Sequence, residues 1–110
     1  MFLLLLNYLI IITMVNSFDV MTNTKVSVAN TTTAVLTAEA RRRYALFVND
    51  SDEVIYLSLS DTAVLNEGIR LNASGGSYEI NGTNMYVGDV SAISTSGSKN
   101  LTVVFDLHIN

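Results

Sequence analysis

Residues 40–59 read ARRRYALFVNDSDEVIYLSL. In the second half Ile55, Leu57 and Leu59 alternate with Tyr56, Ser58 and Ser60, the period-two pattern of a β-strand with one apolar face. The run at 44–49 is apolar at successive positions instead, as expected of a central strand covered on both sides. Between them NDSDE supplies side chains that hydrogen-bond their own backbone, which is turn chemistry. The two strands therefore predict an antiparallel hairpin. The preceding triplet holds half of the six basic residues. Extended geometry would send Arg41 and Arg43 to one side and Arg42 to the other, so the three guanidiniums cannot converge on a phosphate. The expectation is a structural role, with stems on apolar surface and heads paired to Asp50, Asp52 or Glu53 across the hairpin. Pairing between subunits is the second reading, since planar Arg suits interfaces.

Outward from this stretch, period-two alternation recurs and no long window shows helical spacing. Strands are predicted over 25–29, 32–37, 68–71 and 77–80, with one long or two short strands over 85–95, bent at Gly88. The last is the clearest: Leu101, Val103, Phe105, Leu107 and Ile109 share one face, and Thr102, Val104, Asp106, His108 and Asn110 the other. Residues 39–42 predict a short turn, 61–65 a helical turn, and NASGG at 72–76 a glycine turn or hairpin loop. Asn81-Gly82 is a tight-turn signal. Turn signals at this frequency without a βαβ rhythm predict an all-β fold, a small antiparallel β-sandwich or barrel of jelly-roll type.

The 110 residues suffice for one domain. Hydrophobic residues make up 49% and charged residues 15%, which is too apolar for a disordered chain and leaves apolar surface for a partner. A net charge of -4 opposes electrostatic capture of nucleic acid. The absence of cysteine removes disulfides, thiolate metal sites and Cys nucleophiles. His108 is the single histidine, near the C-terminus, and the acidic residues form no acid/base pair, so the expectation is no enzyme, no catalytic or metal-binding residues and no cofactor. Asp50 and Asp52 read as a solvated turn and not as half of a calcium loop. NASGGS lacks the Lys and the following helix of a phosphate loop.

Residues 1–21 form an apolar N-terminal segment, with FLLLLNYLIIITMV at 2–15 shorter than a bilayer span. It reads either as a secretion signal cut before Phe18 or as residues upstream of a true start at Met14 or Met21. The single β-domain is expected over 22–110. Five glycosylation sequons, at Asn30, Asn49, Asn72, Asn81 and Asn100, bear on function if the leader directs secretion.

The body, roughly 24–105, resembles small bacteriophage virion structural proteins. The likeness rests on Arg43 before a strand ending in Asn49, on the strand at Tyr56, on Gly68-Ile69-Arg70-Leu71, on Gly75 to Tyr78, and on Ala92 to Gly97. It implies a capsid decoration, head-fibre or tail-associated module of the virion, assembled in the host cytoplasm. Its partners would be copies of itself, a trimer being one arrangement, and other virion proteins, with neither nucleic acid nor membrane contacted by the mature domain. Tyr44, Tyr56, Tyr86 and Val104 are the exposed apolar alternates that would pack in such an assembly. The alternative is a secreted or cell-surface β-sandwich that binds glycan or protein.

Overall fold

The computed structural model describes residues 20–106. Among these there is no helix; the chain forms eight strands. They are β1 (Met21–Val28), β2 (Thr33–Leu36), β3 (Ala45–Asn49), β4 (Ile55–Ser58), β5 (Ile69–Leu71), β6 (Ser77–Ile80), β7 (Val90–Ser94) and β8 (Lys99–Asp106). Two four-stranded antiparallel sheets result, in the orders β1-β8-β3-β6 and β2-β7-β4-β5. Four of the pairings, β1 with β8, β2 with β7, β3 with β6 and β4 with β5, are those of one long antiparallel ribbon folded at its middle. Rolling that ribbon adds the contacts β3 with β8 and β4 with β7, which complete the sheets. This is the jelly-roll solution to an all-β chain: apart from the β4-β5 hairpin, consecutive strands cross between layers, and the two inner faces bury each other.

The core follows from alternation. Ala45 and Phe47 of β3, Leu101 and Val103 of β8, Val28 of β1 and Ile80 of β6 face inward from one sheet. Ile55 and Leu57 of β4, Leu71 of β5, and Val90 and Ala92 of β7 meet them from the other. Rows across the first sheet confirm the register: Thr24, Val103, Phe47 and Tyr78 lie side by side on the inner face. Asn23, Val104, Leu46 and Glu79 do so on the outer face.

The expected hairpin of β3 and β4 is not formed. The two strands lie in opposite sheets, joined by the NDSDE corner. A turn-rich link of five residues can close a hairpin or carry the chain across a sandwich, and the partners available to each strand decide between them. NASGG is likewise a corner between sheets, where Gly75 takes φ +120° and a side chain on Gly76 would collide with the Asn72 backbone. Asn81-Gly82 also links strands of different sheets, and so is not a hairpin turn. The segment 85–95 yields only β7, starting after Gly88, and 61–65 is irregular. The pattern at 44–49 gave β3 its place between β8 and β6, but one face alone is covered: Leu46 and Val48 are half-buried on the outer face. The expectations for Leu107, His108, Ile109 and Asn110, and for the segment before Val20, lie outside the described residues.

The register predicts opposite consequences for adjacent side chains of β3. Phe47→Ala should lower unfolding free energy by about 3–5 kcal/mol, the cost of emptying a core site. Leu46→Ala should cost about 1 kcal/mol or less. Urea titration followed by circular dichroism measures both.

Candidate functional site

The arginine triplet is the strongest chemical signal in the sequence, and the side chains of Arg41 and Arg42 have separate environments. Residues 40–44 form a turn and an irregular approach to β3 rather than extended strand, so simple alternation does not apply. Arg41 is exposed, and its Nε donates to Glu39 Oε1 at 3.3 Å. The Arg41 backbone and side-chain donors together hold the Glu39 carboxyl below its ordinary range. Arg42 is 2% exposed. Its Nη1 donates to Thr37 O at 3.2 Å, and its Nη2 to Tyr86 O at 3.3 Å and Gly88 O at 2.9 Å.

Those carbonyls follow β2 and precede β7 in one sheet, while Arg42 leads into β3 of the other. The guanidinium therefore ties the layers together at this end. Burial pushes its pKa down, and the Asp106 charge opposes that shift. The group stays protonated in either case.

Asp106 completes this end. Expected on the exposed alternate face of the last strand, it is 2% exposed instead. The chain at 43–44 folds over it, and its Oδ1 accepts from the Arg43 and Tyr44 backbone N–H groups, both at 2.9 Å. Arg42 and Asp106, with Val35, Leu36, Thr37, Ala38, Glu39 and Phe105, line a cavity of about 440 Å³ between the end of β2 and the end of β8. Its wall is mainly apolar, and two of the guanidinium nitrogens are committed to carbonyls. Anion capture by the triplet has no geometric basis.

The expected partners of the arginines pair elsewhere. Asp52 meets Lys99 at 2.8 Å, which lowers the carboxyl pKa and raises that of the amine. Glu53 accepts from Ser96 N and Oγ, both at 2.8 Å, and its pKa is lowered for that reason. Asp50 lies near Asn100, its N–H donating to Asn100 O at 3.0 Å. These contacts hold the corner between β3 and β4 against the turn between β7 and β8.

The sequence marks Asn49 as a strand end, a turn residue and a sequon, but not as a buried tie. It is fully buried at the end of β3. Its Nδ2 donates to Glu53 O at 2.7 Å and to Leu71 O at 2.9 Å, while its Oδ1 accepts from Ser51 Oγ at 2.6 Å. Since Leu71 belongs to β5, Asn49 ties the sheets at the other end of β3. A nitrogen so placed is out of reach of a glycosyl donor in the folded chain. A polar residue closing an apolar strand, with Ser two positions on, was the available signal. Asn30 and Asn72 are exposed, and Asn81 and Asn100 half-buried.

None of the four residues expected to be exposed for packing is so: all are half-buried, and Tyr86 packs against the core, its hydroxyl donating to Asp89 O at 2.7 Å. Tyr44 is half-buried, and its hydroxyl donates to Glu79 Oε2 at 2.6 Å. That bond raises the phenol and, with Asn81, lowers the carboxyl. Tyr56 donates to Asn66 Oδ1 at 3.0 Å from the other sheet. Val104 lies half-buried beside Leu46 on the outer face of the first sheet.

Ser58 and Ser60 hydrogen-bond to each other, Ser60 Oγ donates to Thr62 O, and Ser91 Oγ donates to Ser60 O. Among the described residues no cluster of three metal-ligating side chains occurs, and no helix is long and apolar enough to cross a membrane. Tyr44, Leu46, Val48, Thr102 and Val104 lie half-buried across the outer face of β3 and β8. No protein-family model matches the chain, and no curated protein or solved structure matches it.

Arg42→Ala strands three carbonyls and opens a void, so it should cost about 3 kcal/mol or more, whereas Arg41→Ala should stay within about 0.5 kcal/mol. Urea midpoints distinguish them. Asp52, Glu53 and Glu79 have lowered pKa values in the folded state. Their contribution is therefore present above the unfolded carboxylate range near about pH 4 and lost as pH falls through the folded values. Glu53→Gln should give a shallower fall of unfolding midpoint between pH 6 and pH 3 than the parent.

Proposed function

We propose that the chain is a structural module of a virus particle, of the phage capsid-decoration, head-fibre or tail-associated kind, and that it acts by adhesion to copies of itself and to the particle rather than by catalysis. The observation that carries this reading is the rolled eight-strand ribbon, an architecture used by capsid domains, with the residues of the virion resemblance at its structural corners. Asn49 locks one end of β3. Gly68 takes φ +87° where a side chain would strike Leu57 O at 2.5 Å. Gly75 and Gly76 turn the chain from β5 into β6. Ala92 is in the core, and Ser94 Oγ donates to Val28 O at 3.0 Å, joining the sheets again.

A particle component must hold its shape without a reducing-sensitive crosslink and present surface to many neighbours. Close-packed sheets joined by buried hydrogen bonds meet the first need. The half-buried apolar residues outside β3 and β8 meet the second, because interface cores favour aliphatic and aromatic side chains over charge.

The test is mass spectrometry of purified virions from the source that carries the gene. Peptides from residues 20–106 are expected in the particles at a fixed copy number relative to the major capsid protein. Recovery in the culture medium alone, with Phe18 as the first residue, would replace this reading with the secreted β-sandwich.

A further inference from the structure

Leu46 and Val48 occupy the middle of the first sheet, yet nothing among the described residues is layered over their outer face. The row Asn23, Val104, Leu46, Glu79 and the row Lys25, Thr102, Val48, Ser77 define this surface. Its centre is aliphatic: Leu46, Val48 and Val104. Its two margins carry opposite charge. Lys25, on edge strand β1, is exposed and makes no ion pair among the described residues. Glu79, on edge strand β6, is exposed, and its partners there are the neutral Tyr44 and Asn81.

A face with this layout is complementary to itself. When two copies meet face to face about a two-fold axis that lies in the contact plane and runs along the strands, the axis exchanges the margins. The β1 edge of one copy then falls opposite the β6 edge of the other. Lys25 is brought towards Glu79 twice, once on each side of an aliphatic centre, which is the reciprocal contact of an isologous interface. The margins lie three strand spacings apart, about 14 Å, and the rows differ by two residues, about 7 Å, an offset the length of a Lys side chain and a modest crossing of the strands absorb. A two-fold axis running across the strands would instead set each margin against its own copy and leave the charges unpaired.

We propose that the outer face of the β1-β8-β3-β6 sheet binds a second copy of this chain in this way, with Leu46, Val48 and Val104 at the centre and Lys25 and Glu79 paired across both margins. The proposal rests on the adhesion reading and names the surface it would use. It also accounts for the apolar pattern at 44–49, which suits a strand covered on both sides: the sandwich supplies one cover and the second copy the other.

Analytical ultracentrifugation of the full chain tests it, with circular dichroism and thermal unfolding confirming that each variant folds. The parent should sediment as a dimer. Val48→Lys should abolish the dimer within the accessible concentration range. Lys25→Glu and Glu79→Lys alone should each weaken association about tenfold, by setting like charges opposite one another, and the two together should recover most of the loss. A parent that remains monomeric overturns the proposal, as does an oligomer indifferent to Val48→Lys and to the charge exchanges. The latter would place association elsewhere, including the apolar leader. Either failure leaves the virion assignment to stand or fall on the particle analysis.

Discussion

The two sheets of this protein have no covalent tie, and the jelly roll depends on how β3 is fastened at both ends to the opposite layer. At its entrance the Arg42 guanidinium reaches the carbonyls of Thr37, Tyr86 and Gly88. At its exit the Asn49 amide reaches those of Glu53 and Leu71. Between them Ala45 and Phe47 face the core, and the backbone pairs with β6 and β8. The hydrophobic effect brings two apolar faces together without fixing their offset. Directional hydrogen bonds from buried groups choose one offset, because any other leaves those groups unsatisfied at considerable cost.

This arrangement makes the polar residues at the sandwich ends structural, although they are the types that usually suggest chemistry. Three adjacent arginines invite a phosphate, yet Arg42 is committed to carbonyls and Arg41 to Glu39. The acidic corner similarly clasps Lys99 and Ser96. Outside the core, Leu46, Val48 and Val104 form a half-buried aliphatic strip over β3 and β8. The composition is poor in charge for a chain of this size.

The outer face also connects two features that are otherwise separate. Leu46 and Val48 interrupt the polar alternation expected of a solvent-facing sheet, while Lys25 and Glu79 sit on the two edge strands, which carry unpaired backbone groups. Charge on an edge discourages further strand pairing. A copy seated on the face rather than on an edge satisfies the aliphatic centre and leaves the edges capped by charge.

The sequence by itself determined the strands and the direction of their side chains. Alternation at 101–105 and at 55–59 placed Leu101, Val103, Ile55 and Leu57 on the apolar faces that form the core, because the two-residue period of an extended chain leaves no other assignment once one face is apolar. Turn positions were legible for the same local reason. Only the tertiary structure decided which strands are neighbours. NDSDE is as able to carry β3 into the opposite sheet as to fold β4 back beside it, and the choice rests on partners 22 to 63 residues away, such as Leu71 for Asn49 and Asp106 for Arg43. For the same reason the sequence did not show the roles of Arg42, Asn49 and Asp106, which depend on carbonyls and amides delivered from distant segments.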